Sequence, residues 1–298
     1  NEYFRICVSI FAFISGYGLY LSAKAKEKEE DSVSRWIVDR WFKTLKGYWF
    51  IYLVSLIVLF FGVRGYIQEE YFKEDIATGC FYMFLDFLGV SKIFGTPSLN
   101  GSWWYMGAIT TYIIMMPFIV KWVKKYGFVS LIGLVIIIPR MLIKHKFLGA
   151  SSIYSFMLPL IIGALFAEKD LFRKFDQIVI TKKKWMDDII IFAVLLLCMI
   201  LNIYIWVTVP YKELWEYHFA LIPISAILFY YKFVIRIPVL RTVLLFLGKH
   251  SMNIFLFHTF VRNDLMHDFI YGLKVPVFIV LTLLAVSLMV SLLIELLK

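Results

Sequence analysis

Arg40, Lys43 and Lys46 fall at three-residue spacing, so on a helix Arg40 and Lys43 share a face, as do Lys43 and Lys46. With Arg35 and, earlier, Lys24, Lys26 and Lys28, they form a basic threshold that runs directly into an apolar stretch. Such a row either grips an anionic ligand or sits among lipid headgroups. His258 follows the apolar run Phe255–Phe257 near one end of a long apolar segment. An ionisable side chain is costly inside hydrocarbon and therefore invites a functional reading. Imidazole can act as base or proton relay near neutral pH, or simply bond to a neighbouring helix. Asp86 sits within the short apolar stretch Phe81–Val90, either lining a cavity and contacting sugar or capping a re-entrant turn. Trp103 and Trp104 follow Gly101-Ser102; such rings stack on sugar faces and also populate the membrane's aromatic belt.

The elements that must position these residues are membrane helices. The chain is 61% hydrophobic and 19% aromatic, with a mean hydropathy of +0.80. Ordinary soluble domains are about half apolar. Apolar stretches of the length a helix needs to cross hydrocarbon recur from end to end. The pattern predicts spans at Phe4–Leu21, Tyr48–Val63, Trp103–Val120, Phe128–Ile143, Ile153–Ala167, Ile189–Val209, Tyr217–Tyr231, Val243–Phe260 and Val275–Leu296. The expected fold is all-α: a polytopic transmembrane bundle of about nine spans, plus Phe81–Val90 as a short re-entrant or interfacial segment. No polar linker marks a second domain, so residues 1–298 read as one integral-membrane domain.

Charge distribution orients the bundle. If Lys24–Lys46 is cytoplasmic and Phe81–Val90 does not cross, then Lys121/Lys124/Lys125, Arg173–Lys184, Lys232–Arg241 and Lys298 also fall inside. Arg64–Asp75, Lys144–Ser151, Pro210–Glu216 and Arg262–Gly272 then fall outside. The net charge of +10 suits loops facing anionic lipid. Basic residues scattered between spans argue against nucleic-acid binding. Cys7, Cys80 and Cys198 have no metal-ligand spacing and read as small buried hydrophobes, so no metal is expected. Trp36, Trp41, Trp49 and Tyr52 are expected to sit at headgroup level. Ser15 and Gly16 interrupt the first span with small residues, which lets another backbone approach. His250 and Lys249 at an inner helix end, and His145, His218, His267 and Arg140 at outer ends or loops, carry no assigned role. There is no G-x-S-x-G elbow, H-E-x-x-H or P-loop, which disfavours a serine hydrolase, zinc protease or NTPase.

Four stretches together resemble the acyltransferase-3 family of integral-membrane acyltransferases. Phe11–Tyr20, FAFISGYGLY, is similar to that family's second helix, "FFxxSGY". Arg40-Trp-Phe-Lys43 ahead of Lys46-Gly-Tyr-Trp49 resembles its R-x-x-R loop entering the third helix, with Lys43 in place of the second Arg. Lys keeps the charge but loses the planar fork of guanidinium. Gly101–Pro117, GSWWYMGAITTYIIMMP, resembles the segment "lWFl…yll.P", and Phe246–His258, FLGKHSMNIFLFH, the late helix "LGxxSxxiYLxH".

The resemblance implies ten core helices with cytoplasmic ends, hence one helix ahead of Asn1, where the family carries an R-x10-H motif without counterpart here. It implies transfer of an acyl group, usually acetyl from acetyl-CoA, to a hydroxyl of a surface polysaccharide or lipid-linked saccharide at the bacterial plasma membrane. Arg40, Lys43 and Lys46 would hold the CoA phosphates and His258 would support proton transfer. Trp103, Trp104 and Asp86 would face the acceptor. The rival readings are a transporter or flippase for a lipid-linked sugar without acyl chemistry, and an inactive remnant serving as a membrane partner.

Overall fold

The computed structural model describes residues 5–27, 33–144, 152–208 and 215–297. These contain helices and no strand. In chain order they are α1 (Arg5–Glu27), α2 (Val33–Gly62), α3 (Tyr66–Tyr71), α4 (Ile76–Phe87), α5 (Ser91–Phe94), α6 (Trp104–Lys144), α7 (Ser152–Ser155), α8 (Met157–Lys169), α9 (Leu171–Asp176), α10 (Lys184–Thr208), α11 (Trp215–Lys232), α12 (Pro238–Phe260), α13 (His267–Gly272) and α14 (Pro276–Leu297). Among the described residues, six are long and apolar enough to cross a membrane: α1, α2, α6, α10, α12 and α14.

Every expected span falls on helix. Two of them lie within α6, which Gly127 breaks with φ 78° and ψ 172°. Trp122 Nε1 donates to Ser130 Oγ across this break at 3.1 Å. Eight residues of straight helix would rise about 12 Å, so the bond requires the chain to bend sharply there. The remaining two expected spans are the 13-residue α8, preceded by α7, and the 18-residue α11, which contains Pro223.

The long helices expose Leu, Ile, Val and Phe side chains over much of their surface, as at Leu197, Ile200, Phe278 and Leu296. A water-soluble protein rarely presents so large an apolar surface; here lipid tails cover it. The same reason corrects the expectation for the cysteines. Cys7, Cys80 and Cys198 are exposed rather than buried, on apolar helices. His145 lies outside the described residues, as do the side chains of Arg140 and His218.

The chain divides into two compact units, each drawn from separated stretches. Unit 1 comprises residues 1–37 and 111–241, and unit 2 residues 38–110 and 242–298.

In unit 1, α1 packs on α8 by reciprocal glycine contacts. A Cβ on Gly16 would lie 2.0 Å from the Leu160 carbonyl oxygen, and one on Gly163 would lie 2.0 Å from that of Phe13. Ser15-Gly16 is thus part of a close backbone crossing, the device small residues permit between membrane helices. Lys24 Nζ pairs with Glu168 near the ends of the same two helices. At the far end of α11, buried Lys232 lies 3.6 Å from Asp176 and 3.8 Å from Asp188. Arg236 reaches both carboxylates, and the Tyr231 hydroxyl donates to Asp176 Oδ2 at 2.8 Å.

In unit 2, α4 is a stub. Its 12 residues would rise about 18 Å, short of a bilayer core of about 30 Å. Asp75 caps its start, accepting from the Thr78 N–H at 2.9 Å and the Thr78 hydroxyl at 2.6 Å. The chain then turns at Gly89 (φ 70°) and Gly95 (φ 69°) on either side of α5. Leu45 and Met106 side-chain carbons lie 3.2 Å from where a Gly89 Cβ would stand, so the turn demands glycine for space as well as for φ.

Candidate active site

All seven side chains singled out by sequence lie within unit 2: Arg40, Lys43, Lys46, Asp86, Trp103, Trp104 and His258.

The cations occupy the first half of α2. Lys43 and Lys46 are exposed and Arg40 is half-buried, and none has an ion pair among the described residues. Further along α2, the aromatic residues have a different task from the one expected. The last carbonyls of a helix lack intrahelical donors, and α2 supplies several to the end of α4. Tyr48 Oη donates to the Asp86 carbonyl at 2.7 Å and Trp49 Nε1 to the Phe87 carbonyl at 2.8 Å. Tyr52 Oη donates to the Met83 carbonyl at 3.2 Å. Trp41 Nε1 donates to Thr110 Oγ1 at 3.2 Å, and Trp36 Nε1, in unit 1, to Ser22 Oγ at 3.1 Å. These donors are spent inside the protein rather than on headgroups. Burying apolar rings leaves their polar tips needing partners, and free carbonyls at a helix end provide them.

Asp86 is 1% exposed, and its carboxylate ties the re-entrant segment together. Oδ1 accepts from the Ser91 hydroxyl at 2.8 Å. Oδ2 accepts from the Leu99 N–H at 2.8 Å and from the Tyr71 hydroxyl. Burial pushes the carboxyl pKa up, and the bonds from Tyr71, Leu99 and Ser91 pull against it. Burial and the adjacent carboxylate hold the Tyr71 phenol far above its usual range, hence protonated and donating. One side chain thus gathers α3, α5 and the strand-like approach to α6.

Trp103 is 1% exposed. Its ring packs on Tyr48, Tyr52 and Phe260 with centroids 5.1, 5.5 and 5.7 Å away. Its Nε1 donates to the Leu256 carbonyl at 2.9 Å, and Asn100 Nδ2 donates to the same oxygen at 3.3 Å. Asn100 Oδ1 in turn accepts from the Ser102 N–H and hydroxyl, both at 2.8 Å, which starts the turn leading into α6. Trp104 is half-buried beside Tyr105.

His258 lies two residues beyond Leu256 on α12 and is half-buried. Its Nδ1 faces the Ile254 carbonyl at 3.1 Å and the Phe255 carbonyl at 2.9 Å. Carbonyl oxygens only accept, so Nδ1 carries the proton and the neutral ring keeps its lone pair on Nε2. Nε2 lies 3.4 Å from Thr259 Oγ1. A neutral imidazole held in this tautomer is competent to take a proton at Nε2.

A second polar group emerges on α12 and α14 that sequence left without a role. Buried His250 Nδ1 lies 2.9 Å from Ser291 Oγ. Asn253 Nδ2 donates to the same Ser291 Oγ at 3.1 Å and to Glu295 Oε1 at 2.8 Å. Glu295 within the apolar α14, and Asn253 inside the late α12 motif, were the available signals. By contrast, nothing local marks Tyr71, Ser91, Leu99 or Asn100. His267 is exposed and pairs with its neighbour Asp268 at 3.0 Å.

A polytopic helical protein with a cationic turn, a re-entrant segment and an intramembrane imidazole in one unit belongs to the class of membrane-embedded group-transfer proteins. The comparison with protein families makes this specific: residues 3–295 match the acyltransferase-3 family, described as an acyltransferase domain. The chain is a member of that family and a multi-pass membrane acyltransferase. No curated protein and no solved structure matches it.

Proposed function

We propose that this acyltransferase takes an acetyl or related acyl group from acyl-CoA and transfers it to a hydroxyl of a cell-surface polysaccharide or related glycan, at the bacterial plasma membrane. The observation carrying the reading is the His258 tautomer, an Nε2 lone pair held in an apolar helix within the unit that also contains the cations of α2.

The acceptor hydroxyl attacks the thioester carbonyl while a base takes its proton. A C–O bond forms, the C–S bond breaks, and CoA leaves as a thiolate that picks up a proton. Arg40, Lys43 and Lys46 would hold the 3′-phosphate and pyrophosphate of CoA, since clustered cations make short, charge-assisted bonds to phosphate oxygens. His258 would accept or relay the hydroxyl proton through Nε2. Trp103 and Asp86 would act from behind, because both are buried and bonded to protein; their part is to hold the segment between α4 and α6 against α12. Trp104 would be the ring left to face acceptor.

The test is proton NMR of surface glycan from cells lacking the gene and from cells complemented with it. Loss of one O-acyl resonance, restored by the wild-type gene but not by a combined Arg40→Ala and His258→Ala gene expressed at equal level, supports the proposal. Unchanged O-acylation in the absence of the gene overturns it.

A further inference from the structure

The chain past α2 lines a hollow of about 680 Å³ in unit 2, bounded by Phe60, Val63, Arg64, Tyr66, Gln68 and Ile76, among others. We propose that this hollow is the acceptor site, and that its occupant is a lipid-linked saccharide: an apolar chain joined through phosphate to a sugar. This rests on the acyl-transfer reading and on its placement of Arg64–Asp75 at the outer face.

The argument is the order of chemistry along the wall. Phe60 and Ile76 are 68% and 76% exposed, a surface that only hydrocarbon covers well. Arg64 stands two residues past the end of α2, exposed and without an ion pair among the described residues. Guanidinium at the boundary between hydrocarbon and water suits a phosphate, which it can hold by two parallel bonds. Beyond it come Gln68 and Glu69, amide and carboxylate acceptors for sugar hydroxyls; Glu69 Oε1 lies 3.8 Å from the Cβ position of Gly65. Apolar, cationic and hydroxyl-binding zones thus follow one another as tail, phosphate and sugar do in such a molecule. A free polysaccharide would leave the apolar wall unused.

The hollow is also joined to the site described above. Tyr66 Oη donates to the Leu99 carbonyl at 3.1 Å. Asn100, the next residue, donates to the Leu256 carbonyl, two residues before His258. On the other side, a Leu265 methyl lies 3.6 Å from the Cβ position of Gly62, so the end of α2 rests against the chain that continues α12 past His258. The Tyr66 phenol is pushed up to about 12 by burial first and then by Asp264 and Glu70, which keeps it a donor to Leu99.

The experiment measures binding of a tritiated polyprenyl-phosphate-linked disaccharide to the full chain in phosphatidylcholine nanodiscs, with acyl transfer from labelled acetyl-CoA followed in parallel. Saturable binding is expected, weakened at least tenfold by Arg64→Gln and by Ile76→Trp, which fills the hollow. Ile57→Trp, an exposed position one turn and more before the hollow, should leave it unchanged and controls for folding. Excess free disaccharide and phosphatidylglycerol should compete poorly. Binding insensitive to both hollow variants, or equal competition by phosphatidylglycerol, overturns the inference. The expected binding pattern without acyl transfer upholds this site and overturns the acyl-transfer reading instead.

Discussion

Trp103 donates its indole N–H to the Leu256 carbonyl at 2.9 Å, across 153 residues of sequence. Through this bond the start of α6 is fastened to α12 just before His258. The ring of Trp103 meanwhile fills the space between Tyr48, Tyr52 and Phe260, so α2, α6 and α12 share one packed aromatic centre.

Trp103→Phe keeps most of that packing and removes the donor. Leu256 retains the Asn100 amide as partner, so the loss should be about 1 kcal/mol of stability. Activity should fall further than stability if the bond sets the position of His258. Thermal unfolding and initial rates on the same purified variant check this, and equal small losses in both would contradict it.

Asp86→Ala strands the Leu99 N–H and the Ser91 and Tyr71 hydroxyls in a buried place. Each unpaired buried group costs about 1–3 kcal/mol, so the variant should be recovered poorly and unfold at lower temperature than wild type. Tyr71→Phe removes one donor while Oδ2 keeps Leu99, and should be markedly milder. Size-exclusion profiles in detergent rank the two.

Gly16→Ala and Gly163→Ala each drive a methyl into the backbone of the facing helix, which cannot rotate away as a side chain would. Overpacking costs about 1–3 kcal/mol where side chains can yield, and these two should reach or exceed the top of that range. Gly18→Ala, with open space around its Cβ position, is the matched control and should be tolerated. Expression level and unfolding temperature report the difference.

Arg40→Gln should raise KM for acyl-CoA about tenfold, the equivalent of one charge-assisted hydrogen bond, with kcat changed less. Lys43→Arg restores a two-pronged guanidinium and should lower KM. A KM for acyl-CoA that ignores both substitutions would remove the α2 cations from donor binding.

His258→Gln should reduce kcat by about 10²–10⁴-fold, the usual contribution of a general base, and flatten the acid limb of the pH–rate profile. A variant that loses rate but keeps the wild-type pH profile would mark His258 as structural.

Much of this protein could be read from its residues. The nine expected spans fall on helix because a bilayer imposes length and apolarity locally, within twenty residues at a time. The brevity of α4 and the close crossing at Gly16 were equally visible, since both follow from nearby composition. The aromatic residues of α2 were not, because a tryptophan in a belt and one capping a buried carbonyl share the same neighbours in sequence. The cysteines show the same limit: an apolar helix has an apolar surface whichever side faces lipid.

The sequence alone determined the class of protein, its helices and the family to which residues 3–295 belong. Only the tertiary structure decided the duties of individual polar side chains. It made Asp86 the tie of a re-entrant turn, set the tautomer of His258, and joined His250, Asn253, Ser291 and Glu295 across two helices. The reason is physical: hydrophobic length is a sum over consecutive residues, whereas a buried hydrogen bond depends on which distant group arrives within about 3 Å.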